Sequence, residues 1–87
     1  MLRVTPYVRS THSQDGGVVL DLRHGQMFHL NFVGSKILEL VKGDRGELEI
    51  AKEISRDFDI SIDMARADVR EFLRTLGELH LLEEGVR

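Results

Sequence analysis

The chain reads as an α+β domain of winged-helix-turn-helix-like architecture, a three-stranded antiparallel sheet followed by three helices, and three observations predict it. Apolar residues in the first third alternate with a period of two, as in strands with one buried face. From Val33 onward they recur at steps of three and four, the spacing of helices with one apolar stripe. The last two helical stretches are separated only by Asp59, Ile60 and Ser61, a connection short enough for a helix-turn-helix.

Residues 3–9 predict a first strand, with Val4 and Val8 alternating against Thr5, Tyr7 and Arg9. Pro6 has no N–H and places that strand at an edge or a bulge. Residues 10–17 hold no apolar side chain and end on Asp15-Gly16, which predicts a mobile polar connection. In the second strand Val18, Leu20 and Leu22 alternate with Val19 and Asp21. Arg23, His24 and Gly25 form a three-residue hairpin loop in which Gly25 takes the left-handed conformation. The third strand, residues 26–30, puts Phe28 and Leu30 on one face and Met27 and His29 on the other.

Asn31 caps the first helix, where Val33, Ile37, Leu40 and Val41 share a face broadened by Leu38, and Gly43 ends it. Residues 44–46 are a turn, with Glu49 placed to answer the next helix start. Ile50, Ala51, Ile54 and Phe58 line the second helix, from about residue 47 to 58. Ser61 caps the third, in which Ile62, Ala65, Val69, Phe72, Leu73 and Leu76 repeat at helical steps. Gly77 implies loosening there or a close neighbour, and residues 79–82, apolar except for His80, fold back onto the core.

The 87 residues predict a single domain over 1–87, too small for a deep catalytic cleft, since a domain of this size buries only about 60 to 65% of its unfolded surface. With no cysteine there are neither disulfides nor thiolate metal sites, and no apolar run nears the roughly 20 residues of a membrane span. Residues 1–10 are too short and polar for a signal peptide, so a cytoplasmic location is expected. The formal charge of −3 runs against phosphate-backbone binding.

His12, His24, His29 and His80 show no i, i+4 pairing, so neither a metal site nor a cofactor is expected. Ser13, His12 and Asp15 share a loop without the rigid support that a catalytic triad requires, and Asp15-Gly16-Gly17 precedes a strand rather than a helix N-terminus, so it is no phosphate loop. No catalysis is expected. Arg66, Arg70 and Arg74 form a ridge along the third helix, where a helix-turn-helix would read a duplex. Asp63, Asp68, Glu71 and Glu78 on the same helix point instead to a solvated, ion-paired face. An edge strand at 26–30 beside the third helix would offer unpaired backbone groups to an extended peptide, or to a second copy of the chain in a homodimer.

The run Asp15-Gly16, Val18 to Leu22, Leu30-Asn31, Ile37 to Leu40, Lys42-Gly43, Glu49-Ile50-Ala51, Phe58, Asp68-Val69, Phe72-Leu73, Leu76 and Leu81-Leu82 resembles the PqqD-like family. This is the coenzyme PQQ synthesis protein D group and its relatives in lasso-peptide clusters, and the likeness is greatest to the stand-alone lasso-peptide members. It implies a RiPP recognition element, a non-catalytic module that holds the leader of a ribosomally made precursor peptide. The module passes the leader to a processing enzyme such as a leader peptidase, cyclase or radical maturase, in lasso-peptide or PQQ biosynthesis. By that likeness Gln26, Met27, Phe28, His29 and Leu30 supply backbone hydrogen bonds. Asp68, Val69, Phe72, Leu73 and Leu76 then form the groove's floor and wall, with Leu73 and Asp68 in direct contact. One departure stands out: His80 occupies a place where the family often has glycine.

Overall fold

The computed structural model describes residues 2–84; Met1 and residues 85–87, part of the domain expected over 1–87, lie outside the described residues. Strand β1 covers Leu2–Val4, β2 Val8–Ser13, β3 Gly16–Asp21 and β4 Gln26–Leu30. Helices α1 (Phe32–Lys42), α2 (Glu47–Phe58) and α3 (Ile62–Glu78) follow, then a short β5 (Leu82–Glu84). Strands β2, β3 and β4 form an antiparallel sheet in that order, and β1 pairs with β5 in a separate ribbon. The α+β class, the three-stranded sheet and the three helices are as the sequence predicts.

The first strand differs from expectation. Pro6 divides it: Thr5 closes the ribbon by donating its N–H to the Leu81 carbonyl, Val8 donates back to the Thr5 carbonyl at 3.1 Å, and the chain enters the sheet only at Val8. Residues 10–17 are not a mobile connection, because polar β2 runs to Ser13 and pairs through Ser13 with Gly16 across a tight turn. Polarity misled here because His12 turns to the sheet's inner side, stacks on Phe32 with centroids 5.8 Å apart, and hydrogen-bonds the buried Ser35 hydroxyl. Gly17 lets α1 approach that closely, since a Cβ there would lie 2.5 Å from the Ser35 oxygen.

Strand β3 has the expected period with the opposite phase: Val19 and Asp21 are buried, while Leu20 and Leu22 are 40% and 57% exposed. The register sets this, opposing Val19 to Phe28 on the inner face and Leu20 to Met27 on the outer. Asp21 is tolerated inside because its carboxylate accepts the N–H groups of Arg23 and His24 and the His24 ring nitrogen at 2.8 Å. That cap pulls Leu22 into the hairpin, whose loop is the four residues 22–25, with Gly25 at φ +66° as expected.

Asn31 and Ser61 cap α1 and α3 as predicted, accepting from Gly34 at 2.7 Å and Met64 at 3.1 Å. Gly46 precedes α2 without a side-chain cap from Glu49. Each helix ends on a non-glycine residue in the left-handed region, Asp44 (φ 62°), Asp59 (φ 54°) and His80 (φ 61°). At α3 the His80 N–H bonds to the Gly77 carbonyl and the Leu81 N–H to the Leu76 carbonyl, a Schellman arrangement whose left-handed position a glycine would fill without steric cost. Helix α3 runs through Gly77 with open space beside it. The tail folds back as expected, with Leu81 in the core.

Two clusters fill the interior. Ile37, Val41, Ile50, Ala51, Ile54, Ala65, Val69 and Leu73 join the three helices, and Val8, Val19, Leu38, Leu76 and Leu81 join the sheet to α1 and the end of α3. Phe72 packs against both.

Candidate functional site

Strand β4 is the outer strand of its sheet, hydrogen-bonded on one side to β3. Among the described residues no other backbone hydrogen bond involves Gln26, Met27, Phe28, His29 or Leu30, so the N–H and C=O groups on its far side are open. Phe28 and Leu30 turn inward onto the second cluster, while Gln26, Met27 and His29 are exposed. Helix α3 packs closely on α2 and β5 rather than on β4.

At the end of β4, between the first turns of α1 and one flank of α3, lies a groove of about 420 Å³. Asn31, Val33, Gly34 and Ile37 line it from one side, and Asp68, Glu71, Phe72 and Thr75 from the other. Phe72 forms its apolar floor. Gly34 sets how near that ring comes to α1, because a Cβ on residue 34 would lie 2.9 Å from the Phe72 Cε1. Thr75 donates its hydroxyl to the Glu71 carbonyl, and Glu71 binds the Arg74 guanidinium at 2.7 Å. Asp68, exposed at the groove, has no hydrogen bond or ion pair.

Of the helix residues expected at the site, the structure brings Asp68 and Phe72 to the groove. Val69 (0% exposed) and Leu76 (3%) are core, and Leu73 (8%) borders a different cavity, beside Leu2, Val41 and Ile50. Apolar periodicity does not separate a floor residue from a core residue on the same stripe; only the position of α1 does. Sequence reasoning passed over Val33, Gly34, Glu71 and Thr75. A helical glycine at residue 34 was the one visible signal, and residues 68, 71, 72 and 75 share a flank by spacing alone.

The arginine ridge is largely neutralised. Arg74 is held between Glu71 and Glu78, whose hydrogen bonds and charges push its guanidinium further up, and Arg70 reaches Glu47 at 3.4 Å. A polar cavity of about 450 Å³ between the hairpin and β5 is equally roomy, but most of its polar groups are already engaged. Tyr7 donates to the His80 carbonyl and lies under Arg23, His24 holds Asp21, and Glu83 holds Arg3. Burial pushes the Asp21 carboxyl up, but the His24 ring and the backbone N–H groups of His24 and Arg23 outweigh it and hold the acid below its ordinary range. Among the described residues no group of three His, Cys, Asp or Glu is placed to hold a metal, and no helix is long and apolar enough to cross a membrane.

Comparison with known proteins places the fold. The structure of TbiB1 in complex with the TbiA(beta) leader peptide superposes with a TM-score of 0.87 at 32% identity, covering 98% of this chain and 99% of that one. A lasso peptide synthetase B1 complexed with its leader peptide gives 0.85 at 19% identity, over 95% and 98% of the two chains. The PqqD truncation of Methylobacterium extorquens PqqCD, described as a functional and stand-alone RiPP recognition element, gives 0.78 at 24% identity, over 95% and 88%. These last two likenesses speak for the fold alone. No curated protein matches the chain. The family model described as coenzyme PQQ synthesis protein D matches residues 16–82, and with it the chain belongs to the PqqD family.

Proposed function

We propose that the chain is a single recognition domain that binds the leader segment of a ribosomally synthesised precursor peptide and performs no catalysis itself. The observation that carries this reading is the open outer edge of β4 ending at an apolar groove floored by Phe72. The leader adds as a strand beside Gln26–Leu30, and one of its apolar side chains enters the groove between α1 and α3. Val33, Asp68, Phe72 and Thr75 make direct contact, while Val69, Leu73 and Leu76 hold α3 in place beneath them. The likeness to TbiB1, a protein solved with a leader peptide, supports this mode. The complex is then handed to a leader peptidase or another maturase in the cytoplasm.

Energetics divide the labour. Four or so backbone hydrogen bonds contribute roughly 0.5 to 1.5 kcal/mol net each, whereas ordering five leader residues costs about 1 to 2 kcal/mol apiece. Backbone pairing therefore sets register but does not bind by itself. One or two apolar side chains buried in the groove, at about 1.5 to 3 kcal/mol each, bring the balance toward binding. These contributions nearly offset the ordering cost, so binding of micromolar order at the tightest is expected. Calorimetric titration with the leader of a short precursor encoded beside the gene tests this; micromolar binding supports it, and no binding at high micromolar concentration overturns it.

A further inference from the structure

We propose that this groove selects leaders carrying a lysine or arginine two residues from their apolar anchor, and that Asp68 is the selecting group. The inference rests on the peptide-binding reading above and adds the chemistry of the peptide. The groove's lining holds two carboxylates, Asp68 and Glu71, and no cation. Glu71 is partly satisfied by Arg74, but Asp68 has no partner, and its i±3 and i±4 neighbours, Ala65, Glu71, Met64 and Phe72, include no cation. Of the basic residues of α3, Arg74 is tied to Glu71 and Glu78, while Arg66 and Arg70 border cavities with Glu47 and Asp63; none of the three lines the groove. The helix thus presents an acidic flank to the incoming strand and a basic flank away from it.

The spacing follows from two periodicities. Asp68 and Phe72 are one helical turn apart, about 6 Å along the axis. Same-face residues of a strand are about 6.6 Å apart at two-residue steps. A strand lying along α3 with its anchor on the Phe72 ring therefore brings the residue two positions away to Asp68. A Lys or Arg there gains a charge-assisted hydrogen bond beside apolar surface, whereas an acid there meets the unpartnered Asp68 carboxylate and is disfavoured.

The test is selection of a displayed library of random twelve-residue peptides on the full chain and on its Asp68→Asn variant. Asp68 is exposed and unpartnered, so the variant should melt with the parent, which thermal denaturation checks. The expected pool on the parent pairs an aromatic or aliphatic residue with Lys or Arg two positions away. A synthetic peptide from that pool should lose about five- to tenfold in affinity when its basic residue becomes Gln, as a partly shielded ion pair predicts. That discrimination should disappear on Asp68→Asn. A pool with the apolar anchor but no basic preference, or discrimination that persists on Asp68→Asn, overturns the inference while leaving peptide binding intact. Failure to enrich any peptide overturns the peptide-binding reading, and the inference with it.

Discussion

Helix α3 has two apolar neighbourhoods that look alike in the sequence and differ in the fold. On one side Ala65, Val69, Leu73 and Leu76 are closed over by α1, α2 and the tail. One step round the helix, Asp68, Phe72 and Thr75 face a groove that Asn31 and α1 border without filling. On the proposed reading the first side sets stability and the second recognition, so substitutions on the two should separate cleanly.

The largest effect is expected at the closed side. Leu73→Asp places a charge in the three-helix cluster at a cost of several kcal/mol, comparable with the whole stability of a domain this small. The circular dichroism of this variant should be that of an unfolded chain. The family resemblance suggested Leu73 as a groove contact; a folded Leu73→Asp chain that has lost only peptide binding would restore that assignment. Phe72→Ala is the matching change on the open side. Its ring is half-buried, so the chain should stay folded while peptide affinity falls about ten- to a hundredfold, the range of a truncated hot spot.

A subtler variant sharpens the contrast. Gly34→Ala relieves a helical glycine worth up to about 1 kcal/mol but drives a methyl group toward the Phe72 ring, 2.9 Å from its Cε1. Peptide affinity should drop about fivefold, roughly 1 kcal/mol, with the melting temperature little changed. An unaltered affinity would mean that the ring's position is not what shapes the groove. His80→Gly acts at the far end of the same helix, removing a left-handed histidine worth about 1 kcal/mol. It should raise the melting temperature by about 4 to 8 °C with no change in peptide binding.

The smallest effect belongs to the hairpin that feeds β4. Asp21 is held below its ordinary value of 3.8 in the folded chain, so its contribution to stability is complete above that value and is lost as pH falls through the lower folded value. Acid titration of the melting temperature should show a decline beginning near pH 4 that is shallower in Asp21→Asn. Equal slopes would remove the Asp21–His24 cap from the account of the hairpin.

How far the sequence foretold this varies with the kind of signal. Helices with clear stripes and polar caps, Asn31 and Ser61 among them, were legible because local hydrogen bonding and burial agree. The polar β2 was not, since its pairing depends on β3 and its His12 on Ser35, partners distant along the chain. The phase of β3 failed for a related reason: a buried aspartate capping its own hairpin looks polar until the cap is seen. At the site, alternation marked residues 26–30 as a strand but not its place at the sheet edge, and which apolar residues of α3 face the groove depends on where α1 lies.

The central claim is that a peptide completes the sheet at β4, and amide hydrogen exchange by NMR on the peptide-bound chain tests it most directly. Alternate N–H groups within Gln26–Leu30 that exchange freely in the unbound chain should become strongly protected on binding, together with shifts at Gly34, Asp68 and Phe72. Saturating peptide that leaves those amides unprotected, with changes confined to another surface, would contradict the account.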